Sequence, residues 1–224
     1  MRSTLRRARG RLAMSVGRLA STVPLSAEFG FDRGTPVDRH YIEAFLAANA
    51  ADIRGRVLEI GDDSYSRQFG GKRVTQQDVL HVDPDHPGAT IIGDLCDPSV
   101  LPSAAFDCMI LTQTLHLIFD MGQAVAQIRR ALRPAGVALI TVPGITPIDR
   151  GEWNATWYWS LTGPALQRLL SDRFEPGKLT LQVYGNLYSA SAFLHGAALE
   201  EVSRAKLETY DPAYPVIVAA RAEA

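Results

Sequence analysis

Val57-Leu58-Glu59-Ile60-Gly61 is a buried-strand run that ends on an acid and a glycine. A second apolar run, Val79-Leu80-His81-Val82, ends on Asp83, and a third, Ala89–Ile92, ends on Gly93-Asp94-Leu95. Three short strands that close on Asp, Glu or Gly describe the carboxyl edge of an open parallel sheet, where α/β folds hold nucleotide-like ligands. The glycine-rich turn expected after the first strand is nearly absent, because Gly61 is followed by Asp62-Asp63-Ser64-Tyr65.

Working outward, the spacing of Tyr41, Ile42, Phe45, Leu46 and Ala48 predicts a helix over 37–53, with Asp38 in its first turn. A short helix fits near 65–69. Only Pro84–Gly88 separates the second strand from the third, too little for a crossover helix, which normally needs a dozen residues or more. Either that segment passes over the sheet edge in extended form or the third strand is a poor one. Phe106–Thr112 reads as a fourth strand, Met121–Leu132 as an amphipathic helix and Val137–Val142 as a fifth strand of continuous apolar character. A long irregular segment, Pro143–Trp159, holds all three tryptophans, and loops of that length often bind or cover a site. Thr162–Phe174 is a helix capped by Thr162. Leu179–Tyr184 and Pro215–Ala220 are closing strands, separated by a helical stretch over 189–206. The βαβ alternation predicts an α/β, doubly wound, Rossmann-like sheet.

A chain of 224 residues, 46% hydrophobic and 21% charged, fits one large domain (36–224) behind a basic N-terminal arm and loop (1–35). The net charge of -1 hides an asymmetry. Six arginines and no acid lie in residues 1–27, which leaves 17 basic against 24 acidic residues in the body. An acidic body argues against nucleic acid, whose phosphates need a basic surface. The arm has two readings, a solvated tail or a weak contact with an anionic membrane surface. With no 18-residue apolar run and no continuous apolar stretch in the leader, neither a membrane span nor a signal peptide is expected, which points to the cytoplasm. Cys96 and Cys108 lack the paired spacing of a zinc site and read as thiols in a reducing compartment, so no metal is expected.

The order Val-Leu-Glu-Ile-Gly, an acid after the second strand, Gly-Asp-Leu after the third, Phe-Asp before the fourth and Leu-Arg-Pro-x-Gly before the fifth is informative jointly. It resembles the class I S-adenosylmethionine (SAM)-dependent methyltransferases of the type 11, small-molecule group, over about residues 36–185. The nearest likeness is to members with a degenerate Glu-Ile-Gly-Asp-Asp turn, which the resemblance links to bacterial polysaccharide biosynthesis. It implies a mostly parallel sheet with an antiparallel closing strand and SAM as the cofactor. Gly61 would let the backbone approach the cofactor, with Asp62 beside it, and Glu59 would support the turn or meet the cofactor ammonium. Asp83 would bind the ribose hydroxyls, Asp94 and Leu95 would flank the adenine, and Thr112 and Gln113 would border the methionine portion.

Each position also has a purely structural reading. Gly61 can simply turn the chain, Asp83 before Pro84 can close an Asx turn, Asp94 can bond its own loop, and Glu59 can serve backbone amides. Family members usually carry two further glycines in the turn, where this chain has Asp63 and Tyr65. Carboxylates there would repel a pyrophosphate by roughly 4 kcal/mol per charge at an effective dielectric near 20. SAM, with a sulfonium and an ammonium, is not so excluded, and an NAD-linked oxidoreductase is disfavoured.

His116, four residues beyond Thr112, is the histidine placed to act as a base, with packing as its alternative role. Asp149 and the Trp153–Trp159 segment could line an acceptor pocket or staple the loop to the core. The family's Tyr-Trp-Arg-Phe-Thr pattern reads Tyr158-Trp159-Ser160-Leu161-Thr162 here, without the arginine. The expected activity is methyl transfer to a small-molecule acceptor, a sugar hydroxyl in polysaccharide or glycoconjugate biosynthesis. The rival reading is a catalytically inactive methyltransferase-fold partner or scaffold domain.

Overall fold

The computed structural model describes residues 21–224. The arginine-rich residues 1–20, and with them the expected membrane-surface contact, lie outside the described residues. Among the described residues no helix is long and apolar enough to cross a membrane, and no His, Cys, Asp or Glu cluster could hold a metal ion.

Seven strands, β1 (Gly55–Ile60), β2 (Val74–His81), β3 (Ile91–Ile92), β4 (Phe106–Thr112), β5 (Leu132–Pro143), β6 (Leu179–Tyr184) and β7 (Ile217–Glu223), form one sheet in the order β3-β2-β1-β4-β5-β7-β6. β3, β2, β1, β4 and β5 pair in parallel, while β7 runs antiparallel to both β5 and β6. The predicted antiparallel closing strand is therefore β7.

Helices cover both faces. On one, α1 (Val37–Ala48), α4 (Leu187–Leu194) and α5 (Arg204–Leu207) bury Ile42, Phe45, Phe193 and Leu207 against Val57, Cys108, Ile110 and Leu139. On the other, α2 (Met121–Ala131) and α3 (Gly163–Ser171) bury Val125, Ile128, Leu166 and Leu170 against Leu58, Met109, Leu111 and Ile140. Alternate residues of β4 thus feed opposite layers, which explains its unbroken apolar run. Asp120 and Thr162 cap α2 and α3 by accepting the amides of Gln123 and Ala165.

The connection from β2 to β3 is a succession of turns without a helix. It closes because β3 is only two residues long and pairs with the end of β2, Leu80 to Ile91 and His81 to Ile92. The chain need not travel back along β2. Thr90 fixes the return, its amide donating to the Val79 carbonyl at 2.9 Å and its hydroxyl oxygen accepting the Val79 amide at 2.9 Å. The third strand is the poor one anticipated from Pro84–Gly88. β2, by contrast, begins five residues before the predicted run, and the predicted helical stretch over 189–206 is two short helices.

Residues 21–35 pack on the body. The Leu25 amide donates to the His195 carbonyl at 2.7 Å, the Leu199 amide donates to the Thr35 carbonyl at 2.7 Å, and Phe29 lies against Phe193.

Candidate functional site

β1 lies between β2 and β4, so the carboxyl edge presents Gly61 flanked by Asp83 and Asp94 on one side and by Thr112, Gln113 and His116 on the other. Gly61 leaves β1 with φ +92°, a conformation glycine adopts freely. A Cβ built there would meet nothing within 4 Å, so the backbone faces open space.

Glu59 is buried and holds the turn. Its two carboxyl oxygens accept the amides of Tyr65 at 3.1 Å and Ser66 at 2.8 Å. These amides open a short helix over 64–70 that ends as a π-helix, Ser66–Gly70. Burial raises the Glu59 carboxyl to about 7, against the pull of those amides. Asp62 accepts the Ser64 amide at 2.8 Å, and Asp63 pairs with Arg67 at 2.6 Å. The two acids that replace the expected glycine-rich path therefore begin a helix.

Asp83 and Asp94 are exposed, and each closes an Asx turn, accepting the amides of Asp85 at 2.9 Å and Cys96 at 2.8 Å. Leu95 packs into the core beneath. The Cys96 thiol is pushed up to about 11 by its burial and by Asp94 and Asp120, so it stays protonated and unreactive.

On the other side Thr112 ends β4, and Gln113 follows with φ +49°, a strained conformation for a side chain of this kind. Its amide is held by the Thr141 carbonyl at 2.9 Å, and its side-chain Oε1 is buried without a partner. His116 is 1% exposed, and neither ring nitrogen has a hydrogen-bond partner. Burial alone lowers it to about 4, so the ring is neutral at physiological pH. Its carbonyl accepts the amides of Tyr158 at 3.1 Å and Trp159 at 3.3 Å, which ties the long loop after β5 to the loop after β4.

The tryptophans divide their work. Trp159 staples the loop, packing on the core and donating its indole N–H to the Ile118 carbonyl at 3.1 Å. Trp157 stacks on Phe29 at 5.6 Å and meets His116, and its own Nε1 is buried without a partner. Phe29, Ile148, Asp149, Trp157 and Leu194 are among the walls of a cleft of about 700 Å³, between residues 21–29, 147–157 and the end of α4. The Trp-rich loop and the end of α4 both line this cleft, whose walls include none of Gly61, Asp83, Asp94, Thr112, Gln113 or His116. His195 lines it too.

Asp38 is the residue whose position the sequence reading did not use. It is 6% exposed, and its Oδ1 has no hydrogen-bond partner. Burial raises its carboxyl above the usual range, while the Arg39 charge, first-turn amides and the Gln113 side chain pull the other way. The signal was present: Asp38 falls three and four residues before Tyr41 and Ile42, on the face the helix buries.

Residues 45–140 match a family model described as a methyltransferase domain, of the type 11 group. No curated protein matches the sequence. Among solved structures, the chain is similar to a SAM-dependent methyltransferase from Archaeoglobus fulgidus at 11% identity, over 83% of this chain and 94% of that one, with a TM-score of 0.56. It is similar to N-methyltransferase NodS from Bradyrhizobium japonicum WM9 in complex with S-adenosyl-L-homocysteine at 13% identity, over 92% and 93%, with a TM-score of 0.54. A third similar structure is the (4+2) cyclase SpnF, at 13% identity over 99% and 93%, with a TM-score of 0.53. Identities this low speak for fold alone, and the name of the third belongs to a different reaction. The chain thus carries the class I methyltransferase fold, and its residues 45–140 match the model of the type 11 methyltransferases, a family that uses SAM.

Proposed function

We propose that the chain transfers a methyl group from SAM to a hydroxyl of a small acceptor, a sugar hydroxyl of a glycoconjugate precursor. The residues at the carboxyl edge fit the cofactor: Gly61 leaves open space beside the backbone, and the buried acceptors Gln113 Oε1 and Asp38 Oδ1 lack donors. Asp83 would bind the ribose hydroxyls, Asp94 and the Leu95 backbone the adenine, and Asp62, Thr112 and Gln113 would border the methionine portion. When bound, SAM supplies a methyl group activated by its sulfonium.

The observation that carries the acceptor reading is the pair of buried, unsatisfied rings of His116 and Trp157. A neutral imidazole has one donor and one acceptor nitrogen, and an indole has one donor. A hydroxyl, itself both donor and acceptor, complements that set. His116 accepts the proton the hydroxyl releases, and Trp157 orients the acceptor while Phe29 backs its ring. Trp157 also walls the 700 Å³ cleft, whose Asp149, Arg150 and Asn154 offer polar partners to a sugar. Incubation with SAM labelled in its methyl group and a panel of nucleotide sugars and simple glycosides tests this reading. Label should pass to a hydroxyl compound, and His116→Leu should slow the transfer by about 100-fold or more while S-adenosylhomocysteine (SAH) still binds.

A second reading, an inactive partner domain, draws on one observation. The amides of Tyr65 and Ser66, at the helix start after the turn, are taken by Glu59. No transfer to any acceptor, together with no SAH binding, would favour it.

A further inference from the structure

We propose that Asp38, with Gln113, is the seat of the α-ammonium of the cofactor, a position that rests on the SAM-dependent reading above. The carboxylates of the turn already have partners: Glu59 accepts the Tyr65 and Ser66 amides, Asp62 accepts the Ser64 amide and Asp63 pairs with Arg67. An anionic acceptor that is buried and has no partner is the better complement for a cationic ammonium at this edge. Asp38 Oδ1 is buried without a donor, and Gln113 Oε1 is buried without a donor. The two side chains face each other, one from the first turn of α1 and one from the end of β4.

Leaving two buried acceptors unsatisfied is costly, and natural structures seldom do so without a ligand or an ordered water. An ammonium has three N–H donors and one positive charge, enough to satisfy both oxygens and to offset the buried carboxylate. Gln113 is also held in a strained conformation by the Thr141 carbonyl, which fixes its side chain at this edge. The remaining charged and titratable groups around Asp38 are Arg39, beside it in the same turn, with Tyr65 and Glu43 around Arg39. Arg39 offsets part of the charge, yet Asp38 Oδ1 stays without a partner.

The test compares binding of SAH with binding of its deaminated analogue, in which hydrogen replaces the α-amino group, by calorimetry on the full chain. The wild type should favour SAH by about 10- to 100-fold, the range for hydrogen bonds to a charged group. In Asp38→Asn that preference should collapse through weaker SAH binding, with the analogue unaffected. Gln113→Met should narrow it as well, which keeps the test usable if Asp38→Asn does not fold. A wild type that binds both compounds equally, or an Asp38→Asn that keeps the full preference, overturns the proposal while leaving the SAM reading intact. A wild type that binds neither compound overturns both.

Discussion

The imidazole of His116 and the indole of Trp157 meet edge to face with ring centroids 4.4 Å apart, and none of their three ring nitrogens has a hydrogen-bond partner. Such a set is costly to maintain unless a ligand or ordered water completes it. His116→Leu should lower turnover by about 100-fold or more, the lower range for loss of a general base, with SAH affinity unchanged. Trp157→Phe keeps the stacking on Phe29 but removes the N–H, so it should raise KM for the acceptor more than it lowers kcat. Steady-state kinetics on the labelled acceptor check both, and equal loss of SAH binding in His116→Leu would assign the residue to packing.

Stability should respond to pH through two opposing groups. His116 is lowered to about 4 in the fold, so its contribution is full above the unfolded value of 6.5 and is lost as pH falls through 4. Glu59 is raised to about 7, so its contribution is full below 4.5 and is lost as pH rises through 7. Each is worth about 3 kcal/mol, and between pH 4.5 and 6.5 their slopes oppose. Relative to wild type, His116→Leu should therefore lose stability as pH rises through that window, and Glu59→Gln should lose it as pH falls. Urea unfolding at pH 4.5 and 7 gives the comparison, and parallel curves for all three proteins would refute it.

Asp83 serves a turn, and its proposed second role is separable. Asp83→Asn keeps an oxygen for the Asp85 amide but removes the charge. It should leave the melting temperature near that of wild type and weaken SAM binding by about 1.5–3 kcal/mol. Full affinity in the variant would remove Asp83 from the site.

The loop after β5 should change its protection when cofactor and acceptor bind. Trp159 anchors it through the Ile118 carbonyl, while Trp157 and Asp149 wall the cleft. Hydrogen exchange over 145–159 should slow on ligand binding together with 61–65. Slowing at 61–65 alone would leave the loop a staple and move the acceptor elsewhere.

Much of the architecture was legible in the sequence because strands buried on both faces carry unbroken apolar runs. β4 was read to the residue, and β1 within two, since a glycine, an acid or a threonine marks where each ends. The register of β3 was not legible, because it depends on where two residues pair along β2 rather than on local pattern. Glu59 read either as a cofactor neighbour or as a partner for backbone amides, and it accepts those of Tyr65 and Ser66; Asp62 read only as a cofactor neighbour, yet it accepts the Ser64 amide. Asp38 was passed over as an ordinary first-turn acid, though its spacing to Tyr41 and Ile42 put it on the buried face. The pairing of His116 with Trp157 joins residues 41 positions apart, and no local pattern encodes it.

Calorimetric titration of the full chain with SAM, and with SAH as product, tests the central claim most directly. The account predicts saturable binding of both at one site per chain, lost or strongly weakened when Gly61 is replaced by a bulky residue such as Leu. A titration with no binding of either compound at millimolar concentration, by a protein that melts cooperatively, would contradict it.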